Sequence, residues 1–231
     1  MSKYPKLRAI LPHITNRLAM LLVNELFFSI QGESTFAGER CVFVRLTGCN
    51  LRCSYCDTTY AFTNGTSMSI DDICAQVSSY HCNLVEITGG EPLLQPETPE
   101  LCYRLLKNGY TVLVETNGSL DIRSLPPECI RIVDVKCPGS TTGESFDQHN
   151  LEAITGNDQL KFVISGSNDF EWAVAFIEHH RLANRCTIIF SPNTTLCSVQ
   201  ELAGWIVENN TPVRLGLQLH KIIWGNDAQG R

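Results

Sequence analysis

Three closely spaced cysteines are the residues of this chain whose types and spacing most clearly predict chemistry. Cys49, Cys53 and Cys56 stand in a Cx3CxxC pattern within the segment GCNLRCSYCDT. Three thiolates from one short loop suit an iron–sulfur cluster, whereas a structural zinc ion normally takes four protein ligands, often from two Cys or Cys/His pairs. Because no second pair follows, the motif predicts a [4Fe–4S] cluster with one open iron. Such an iron could chelate the amino and carboxylate groups of a methionine moiety.

The composition predicts a globular cytoplasmic protein with one main domain. The 231 residues are 43% hydrophobic and 18% charged, the profile of a chain with a sizeable core. The net charge of -6 argues against nucleic acid as the main ligand, and no apolar run is long enough to cross a membrane. Eleven cysteines without a secretion signal indicate reduced thiols in the cytoplasm. We expect residues 23–231 to form the catalytic domain and residues 1–22 to be an N-terminal extension that is a candidate for disorder.

Short apolar runs alternate with helical patterns along the chain. The predicted strands are residues 23–28, 41–46, 84–88, 111–115, 130–135, 160–164, 187–190 and 214–219. Most are rich in Val, Ile, Leu and Phe with little alternation, which is typical of strands covered on both faces. Candidate helix starts lie at Ser69, Thr98, Asn168 and Ser198. Repeated strand–helix units predict an α/β domain with a mostly parallel sheet.

Polar and charged side chains stand at the ends of several of these apolar runs. Glu115, Lys136 and His220 are the clearest cases. Loops also begin at strand ends, but charged groups beside buried runs are costly and less easily explained in that way. Since the carboxyl ends of parallel strands share one edge of a sheet, we expect these side chains to line an active face there.

Two motifs together resemble the signature of the radical S-adenosylmethionine superfamily. Tyr55 supplies an aromatic residue before the last cysteine of the motif, and Gly89-Gly90-Glu91 follows the next predicted strand. A lone Gly-Gly-Glu would indicate only a turn, but here it stands where that family has its cradle for the methionyl ammonium. The resemblance implies that the chain binds S-adenosylmethionine next to a [4Fe–4S] cluster.

Further blocks, spread over the chain from residue 24 onward, resemble the 7-carboxy-7-deazaguanine synthases. They are ELFFSIQGE (25–33), FVR (43–45), CDT (56–58), TGGEP (88–92), ETNG (115–118) and QLHK (218–221). The resemblance implies conversion of 6-carboxy-5,6,7,8-tetrahydropterin to 7-carboxy-7-deazaguanine with loss of ammonia, a carbon–nitrogen lyase reaction in queuosine and 7-deazapurine biosynthesis. It also implies a modified, incomplete (β/α)6-type TIM barrel with mostly parallel strands, a homodimer, a Mg²⁺ requirement and a reducing protein such as a flavodoxin.

The same resemblance assigns roles to individual residues. The implied substrate contacts are Ile30, Gln31, Gly32, Arg45, Thr88 and His220, and the implied Mg²⁺ contact is Thr58. The implied S-adenosylmethionine contacts are Gly90, Glu91, Glu115, Thr116, Asn117, Asp134, Lys136, Lys161, Ser191 and Asn193. Arg45 also has an argument of its own, because a planar guanidinium can hold a substrate carboxylate. A surface arginine at a strand end is the competing interpretation.

Two other functions fit some of these motifs. A glycyl-radical-enzyme activase of the same superfamily would share the cysteine motif, but it would need a docking surface for a partner protein. It would not need Arg45 and Thr58 arranged around a small carboxylate. A non-enzymatic zinc-binding module would hold one zinc ion where the enzyme holds about four irons.

Overall fold

The computed structural model of the protein describes residues 19–225 and 229–230. Most of the predicted extension, residues 1–22, therefore lies outside the described residues. The first strand begins at Met20, earlier than the predicted residue 23. Its apolar residues Leu21 and Val23 are buried, so the folded part of the chain already includes this segment.

Within the described residues, nine strands form one sheet in the order β3-β1-β2-β4-β5-β6-β7-β8-β9. The strands are β1 (Met20–Ile30), β2 (Arg40–Leu46), β3 (Thr66–Ser69), β4 (Leu84–Gly89), β5 (Thr111–Thr116), β6 (Ile130–Asp134), β7 (Gln159–Ile164), β8 (Thr187–Pro192) and β9 (Arg214–Leu215). β1 pairs antiparallel with β2 and β3, and every neighbouring pair from β2 to β9 is parallel. β3 and β9 are at opposite edges, so the sheet is open. The predicted α/β architecture, an incomplete barrel of mostly parallel strands, is confirmed.

Helices follow most of the parallel strands and cover the sheet. They are α1 (Ile70–Ser79), α2 (Thr98–Lys107), α3 (Asn150–Ala153), α4 (Ser167–His179), α5 (Val199–Glu208) and α6 (Leu219–Trp224). The predicted starts at Ser69 and Ser198 are confirmed, because each side chain caps the helix that follows. Among the described residues, no helix is both long enough and apolar enough to span a membrane.

Two predicted helix starts were wrong by one or two positions. The residue before α2 is Glu97, and the hydroxyl of Thr98 donates to the Pro92 carbonyl at 2.7 Å instead of capping the helix. α4 is preceded by Gly166, so Asn168 lies inside its first turn. In both cases a tertiary or turn contact, which the local sequence does not specify, determines where the helix begins.

The strand predictions were wrong at both edges of the sheet. β3 was not predicted, because its sequence Thr-Ser-Met-Ser lacks an apolar run, and pairing with β1 is what makes it a strand. The predicted strand over residues 214–219 ends at Leu215, and the chain turns into α6 at Leu219. The Leu219 N–H donates to the Gly32 carbonyl at 2.9 Å, which fixes the start of this helix against the loop after β1.

The apolar core is divided into two clusters along the sheet. The first lies around β1, β2, β4 and β5 with α1 and α2, and the second lies around β6 to β8 with α4 and α5. Phe162 and Phe190 are fully buried in the second cluster, with ring centroids 5.5 Å apart. The cysteines predicted to act as small hydrophobes are free thiols, of which Cys41, Cys82, Cys102 and Cys129 are buried and Cys74 and Cys186 are half-buried.

A buried ion pair joins β6 to the turn before β7, at the amino end of the strands. Arg131 and Asp158 have side chains that are 5% and 0% exposed, and two parallel hydrogen bonds of 2.9 and 2.6 Å connect them. The same carboxylate accepts the backbone N–H and the hydroxyl of Thr155. This arrangement satisfies both charges in a place that water does not reach, far from the cysteine loop at the other ends of the strands.

Asp158→Asn is expected to lower the free energy of unfolding by about 3–5 kcal/mol, because it leaves the buried charge of Arg131 without a counterion. Urea denaturation followed by circular dichroism measures the change. The control is Asp121→Asn, which breaks a pair of similar geometry with Arg123 whose side chains are 48% and 57% exposed. That control should have little effect, and equal losses in the two variants would contradict the prediction.

Candidate active site

A cavity of about 780 Å³ opens at the carboxyl ends of the parallel strands. Alternate residues of neighbouring strands point into it, so that Arg45 on β2 and Thr88 on β4 are register partners in its wall. The loop after β2, with the three cysteines, forms another part of the wall, and the loop after β1 and the start of α6 complete it. Its volume is in the range of sites that enclose small organic ligands.

The three cysteines of the motif all line this cavity. Cys49, Cys53 and Cys56 are partly exposed free thiols on one loop. Burial raises the pKa of the Cys49 and Cys56 thiols, so binding of a metal group must displace their protons. Among residues 19–225 and 229–230, no three His, Cys, Asp or Glu side chains converge on a single ion.

The glycine turn after β4 packs directly against the cysteine loop. A Cβ atom at Gly90 would lie 2.3 Å from the Gly48 carbonyl oxygen and 2.5 Å from the Cβ of Cys49. Only glycine therefore allows the two loops to approach so closely. The Glu91 N–H donates to the Gly48 carbonyl at 2.8 Å and holds them together.

The Glu91 carboxylate is fully buried and lies behind the cavity wall. It accepts hydrogen bonds from the Leu93 N–H at 3.0 Å, the Thr116 hydroxyl at 2.9 Å and the Asn117 N–H at 2.7 Å. Glu91 is not among the residues that line the cavity. Glu91 stays a predicted contact of S-adenosylmethionine, as the resemblance implies. In this structure it positions the glycine turn and the end of β5.

Two further side chains approach the cysteine sulfurs. The Asn117 side-chain nitrogen lies 3.9 Å from the Cys49 sulfur and donates to Asn50 at 3.1 Å. The Thr142 hydroxyl lies 3.3 Å from the Cys53 sulfur. Polar groups next to the sulfurs influence the reduction potential of a bound cluster. The sequence analysis assigned Asn117 to the site but missed Thr142, because its loop has no motif.

Arg45 presents an open guanidinium fork to the cavity. Its Nε donates to Glu25 at 2.7 Å, and Tyr60 donates to the same carboxylate oxygen at 2.8 Å. The two terminal nitrogens have no hydrogen-bond partner among the described residues, and the side chain is only 16% exposed. The interpretation as a surface arginine is therefore wrong. A buried, pre-oriented fork is the arrangement that a carboxylate ligand requires.

Lys161 is buried within a group of carboxylates. We call the part of the cavity that this group lines the cavity floor. Its Nζ lies 2.9 Å from Glu33 and 3.7 Å from Asp134, and it is in direct contact with Glu115. Burial by itself would lower the pKa of Lys161, but Glu115, Glu33 and Asp134 raise it well above its ordinary value. The lysine is therefore a fixed positive charge that holds several acidic groups together.

Glu86 is a second buried acidic group on this floor, and the sequence analysis did not assign it. It is 4% exposed, lines the cavity and accepts a hydrogen bond from the side-chain amide of Gln31. Burial and the nearby Glu115 raise the pKa of Glu86 to about 8. The other end of the Gln31 amide accepts the Glu33 N–H at 3.0 Å, so this amide is engaged at both ends. Gln31 therefore holds Glu86 in place.

The loop after β1, the cysteine loop and α6 meet at one rim of the cavity. A Cβ atom at Gly32 would lie 2.1 Å from Nδ1 of His220, so the two residues are in close contact. His220 lies in the first turn of α6 and not at a strand end, and burial lowers its pKa. The Thr58 hydroxyl donates to Asp57 at 2.9 Å, and Asp57 pairs with Lys221 at 2.6 Å.

The cavity gathers nearly every residue that the sequence analysis selected. Apart from Glu91, all of them line it, from positions 30 to 220 along the chain. The lining residues that it missed include Glu33 and Glu86. The signal for Glu86 was present, because it is a charged residue inside the apolar run Leu-Val-Glu-Ile-Thr.

A family model described as the Radical SAM superfamily matches residues 43–205. The matched segment includes both the cysteine loop and the glycine turn that packs against it. The cofactors of the chain are therefore a [4Fe–4S] cluster and S-adenosylmethionine. The three partly exposed thiols on one wall of the cavity fit this cluster.

Comparison with individual named proteins identifies the family within this superfamily. The 7-carboxy-7-deazaguanine synthase of Koribacter versatilis is 46% identical over 90% of this chain and 99% of its own length. The enzyme of the same name from Chlorobaculum tepidum is 42% identical over 92% of this chain and 98% of its own length. The crystal structure of QueE from Escherichia coli has the same fold, with a TM-score of 0.72 and 24% identity over 86% of this chain and 94% of that one. These comparisons do not favour a glycyl-radical-enzyme activase. The chain belongs to the radical SAM superfamily and, within it, to the 7-carboxy-7-deazaguanine synthases.

Proposed function

We propose that this chain converts 6-carboxy-5,6,7,8-tetrahydropterin to 7-carboxy-7-deazaguanine with loss of ammonia. The name of its relatives gives the product, and the family resemblance implies the substrate and the loss of ammonia. The observation that carries the proposal is the shared cavity. Three cysteines on one wall can hold the cluster, and the open fork of Arg45 on another wall can hold a carboxylate. A cavity with both features suits a radical reaction on a small carboxylic acid.

The bound cluster and S-adenosylmethionine supply the radical that starts the rearrangement. The residues of the chain bind and orient the two ligands. Arg45 takes the substrate carboxylate through its terminal nitrogens, while Thr88, its register partner, offers a hydroxyl beside it. Asn117 and Ser191 offer polar groups to S-adenosylmethionine from the ends of β5 and β8. His220 and the loop after β1 close one rim, which limits access of water to the ring.

Further partners belong to the same proposal. Thr58 contributes a hydroxyl oxygen to a Mg²⁺ ion that also binds the substrate carboxylate, since Mg²⁺ takes a few protein and substrate oxygens and keeps several waters. A reducing protein such as a flavodoxin supplies the electron, and the chain works as a homodimer, on the pattern that the family resemblance implies. The reduced cysteines support a location in the cytoplasm.

Mass spectrometry of an anaerobic reaction tests the proposed activity. With reductant, S-adenosylmethionine, Mg²⁺ and the carboxypterin, the chain should form both deoxyadenosine and the deazaguanine product. Cys53→Ala should lose both products together with most of the roughly four irons per chain. The control Cys74→Ala, on α1 outside the cavity, should retain them. Deoxyadenosine without the deazaguanine would refute the substrate and leave the superfamily chemistry intact.

Arg45→Lys is expected to weaken substrate binding by about 10- to 100-fold, because a lysine cannot replace the two-pronged contact with a carboxylate. The steady-state KM for the carboxypterin measures the loss. Arg40→Lys lies on the same strand, outside the main cavity, and should leave the KM unchanged. An unchanged KM in Arg45→Lys would rule out its carboxylate role.

Thr58→Val is expected to raise the Mg²⁺ concentration that gives half-maximal activity, because the variant removes the hydroxyl oxygen and keeps the side-chain shape. A titration of activity against Mg²⁺ measures it. A short helical turn, Thr59–Phe62, separates Thr58 from the exposed residue Thr63. Thr63→Val is the control and should titrate like the wild type. Identical titrations for all three proteins would exclude Thr58 as a ligand.

A further inference from the structure

Glu86 is the acidic group on the cavity floor that has no cationic partner. Among the described residues, Lys161 pairs with Glu33, Glu115 and Asp134, but no lysine, arginine or histidine lies within ion-pair distance of Glu86. Its oxygen Oε2 accepts from Gln31. Its other oxygen, Oε1, has no hydrogen-bond partner in the part of the chain that the structure describes. A buried carboxylate in this position can be satisfied by N–H donors of a ligand.

The surroundings of Glu86 fit a flat ring. Glu86 is the register partner of Phe43 on one side and of Leu113 on the other. Phe43 stacks on Phe27 with ring centroids 4.9 Å apart, and both rings line the cavity. The carboxylate is thus next to an aromatic pair, where a heteroaromatic ring can lie against the two phenyl rings.

The distance between Glu86 and the guanidinium fork of Arg45 matches the length of a bicyclic ligand. Arg45 is two residues beyond Phe43 on β2, and Thr88 is two residues beyond Glu86 on β4. The register pair Phe43–Glu86 therefore lies about 7 Å along the strands from the register pair Arg45–Thr88. A carboxylate held at Arg45 places the far edge of a fused two-ring system at the level of Glu86.

We propose that Glu86 is the specificity residue for the 2-amino-4-oxopyrimidine ring of the substrate, whose amino group and neighbouring ring N–H it binds as adjacent donors. This inference rests on the proposed carboxypterin substrate. A carboxylate can accept both donors at once, as it does from an arginine fork. Gln31 acts as a positioning residue, because its amide bridges Glu86 and the backbone of Glu33.

The protonation of Glu86 offers a second signature. The ionisable groups that face it are Glu33 in the loop after β1, Cys41 on β2, Glu115 on β5 and Lys161 on β7. Burial and Glu115 raise the pKa of Glu86 to about 8, so the group is largely neutral at pH 7 before a ligand binds. Two N–H donors favour the ionised form. Ligand binding at pH 7 should therefore release a proton from this group.

Equilibrium binding of two unreactive ligands tests the proposal on the reconstituted enzyme with S-adenosylmethionine. The ligands are 6-carboxypterin and 6-carboxylumazine, in which an oxygen replaces the 2-amino group. At about pH 9, where Glu86 is mostly ionised, the wild type should prefer the pterin by about 10- to 100-fold, because the lumazine turns an acceptor toward the carboxylate. Glu86→Gln should bring the two affinities to within about threefold, since an amide can donate as well as accept. Glu39→Gln, which does not line the cavity, should keep the wild-type preference.

Calorimetry in buffers of different ionisation enthalpy gives the second measurement. At pH 7, the wild type should release close to one proton on binding 6-carboxypterin, and Glu86→Gln should release much less. Iron content and binding of S-adenosylmethionine show that the variant is folded. Retention of the wild-type preference by Glu86→Gln overturns the role of Glu86, as does a wild type that binds both ligands equally well. A wild type that binds neither ligand refutes the carboxypterin substrate itself, and the inference with it.

Discussion

The contact between the glycine turn after β4 and the cysteine loop after β2 is the constraint on which the site depends. Gly90 lies so close to the Gly48 carbonyl and to the side chain of Cys49 that a Cβ atom in its place would clash with both. Glu91 secures this contact from behind, because its backbone binds the cysteine loop and its carboxylate binds the end of β5. The loop that holds the thiols is thus fixed to two neighbouring strands. A flexible cysteine loop could not hold a cluster in one position relative to the substrate.

The cavity floor shows how the fold tolerates several charges in a buried place. Lys161 offsets the charges of Glu33, Glu115 and Asp134, and each of these contacts crosses between different strands or loops. Burial of one of these groups alone would be costly, but as a network they stabilise one another and fix the shape of the floor. Glu86 differs from them, because its partner among the described residues is the neutral amide of Gln31 and not a cation. We infer that this difference between neighbouring carboxylates leaves Glu86 to bind the donors of a ligand.

The fold could be predicted from the sequence wherever burial produces a clear apolar run. The six central strands, β2 and β4 to β8, were predicted correctly for this reason, since each is covered on both faces. The errors lie where burial is incomplete. β3 is polar and owes its conformation to pairing with β1, and β9 is a short exposed edge strand, after which the chain turns into α6. Local composition carries little information in such segments, because tertiary pairing decides their conformation.

The sequence by itself predicted which cysteines hold the cluster and determined the edge of the sheet at which they lie. Ligation of a cluster requires thiolates at short spacing in one loop, and the carboxyl ends of parallel strands must share one edge. Only the tertiary structure decided what the individual acidic residues do. Glu86 and Glu91 are close in sequence, yet the alternation along β4 turns the first into the cavity, and the glycine turn directs the second behind its wall. The orientation of a side chain relative to a cavity depends on strands from distant parts of the chain, and no local pattern encodes it.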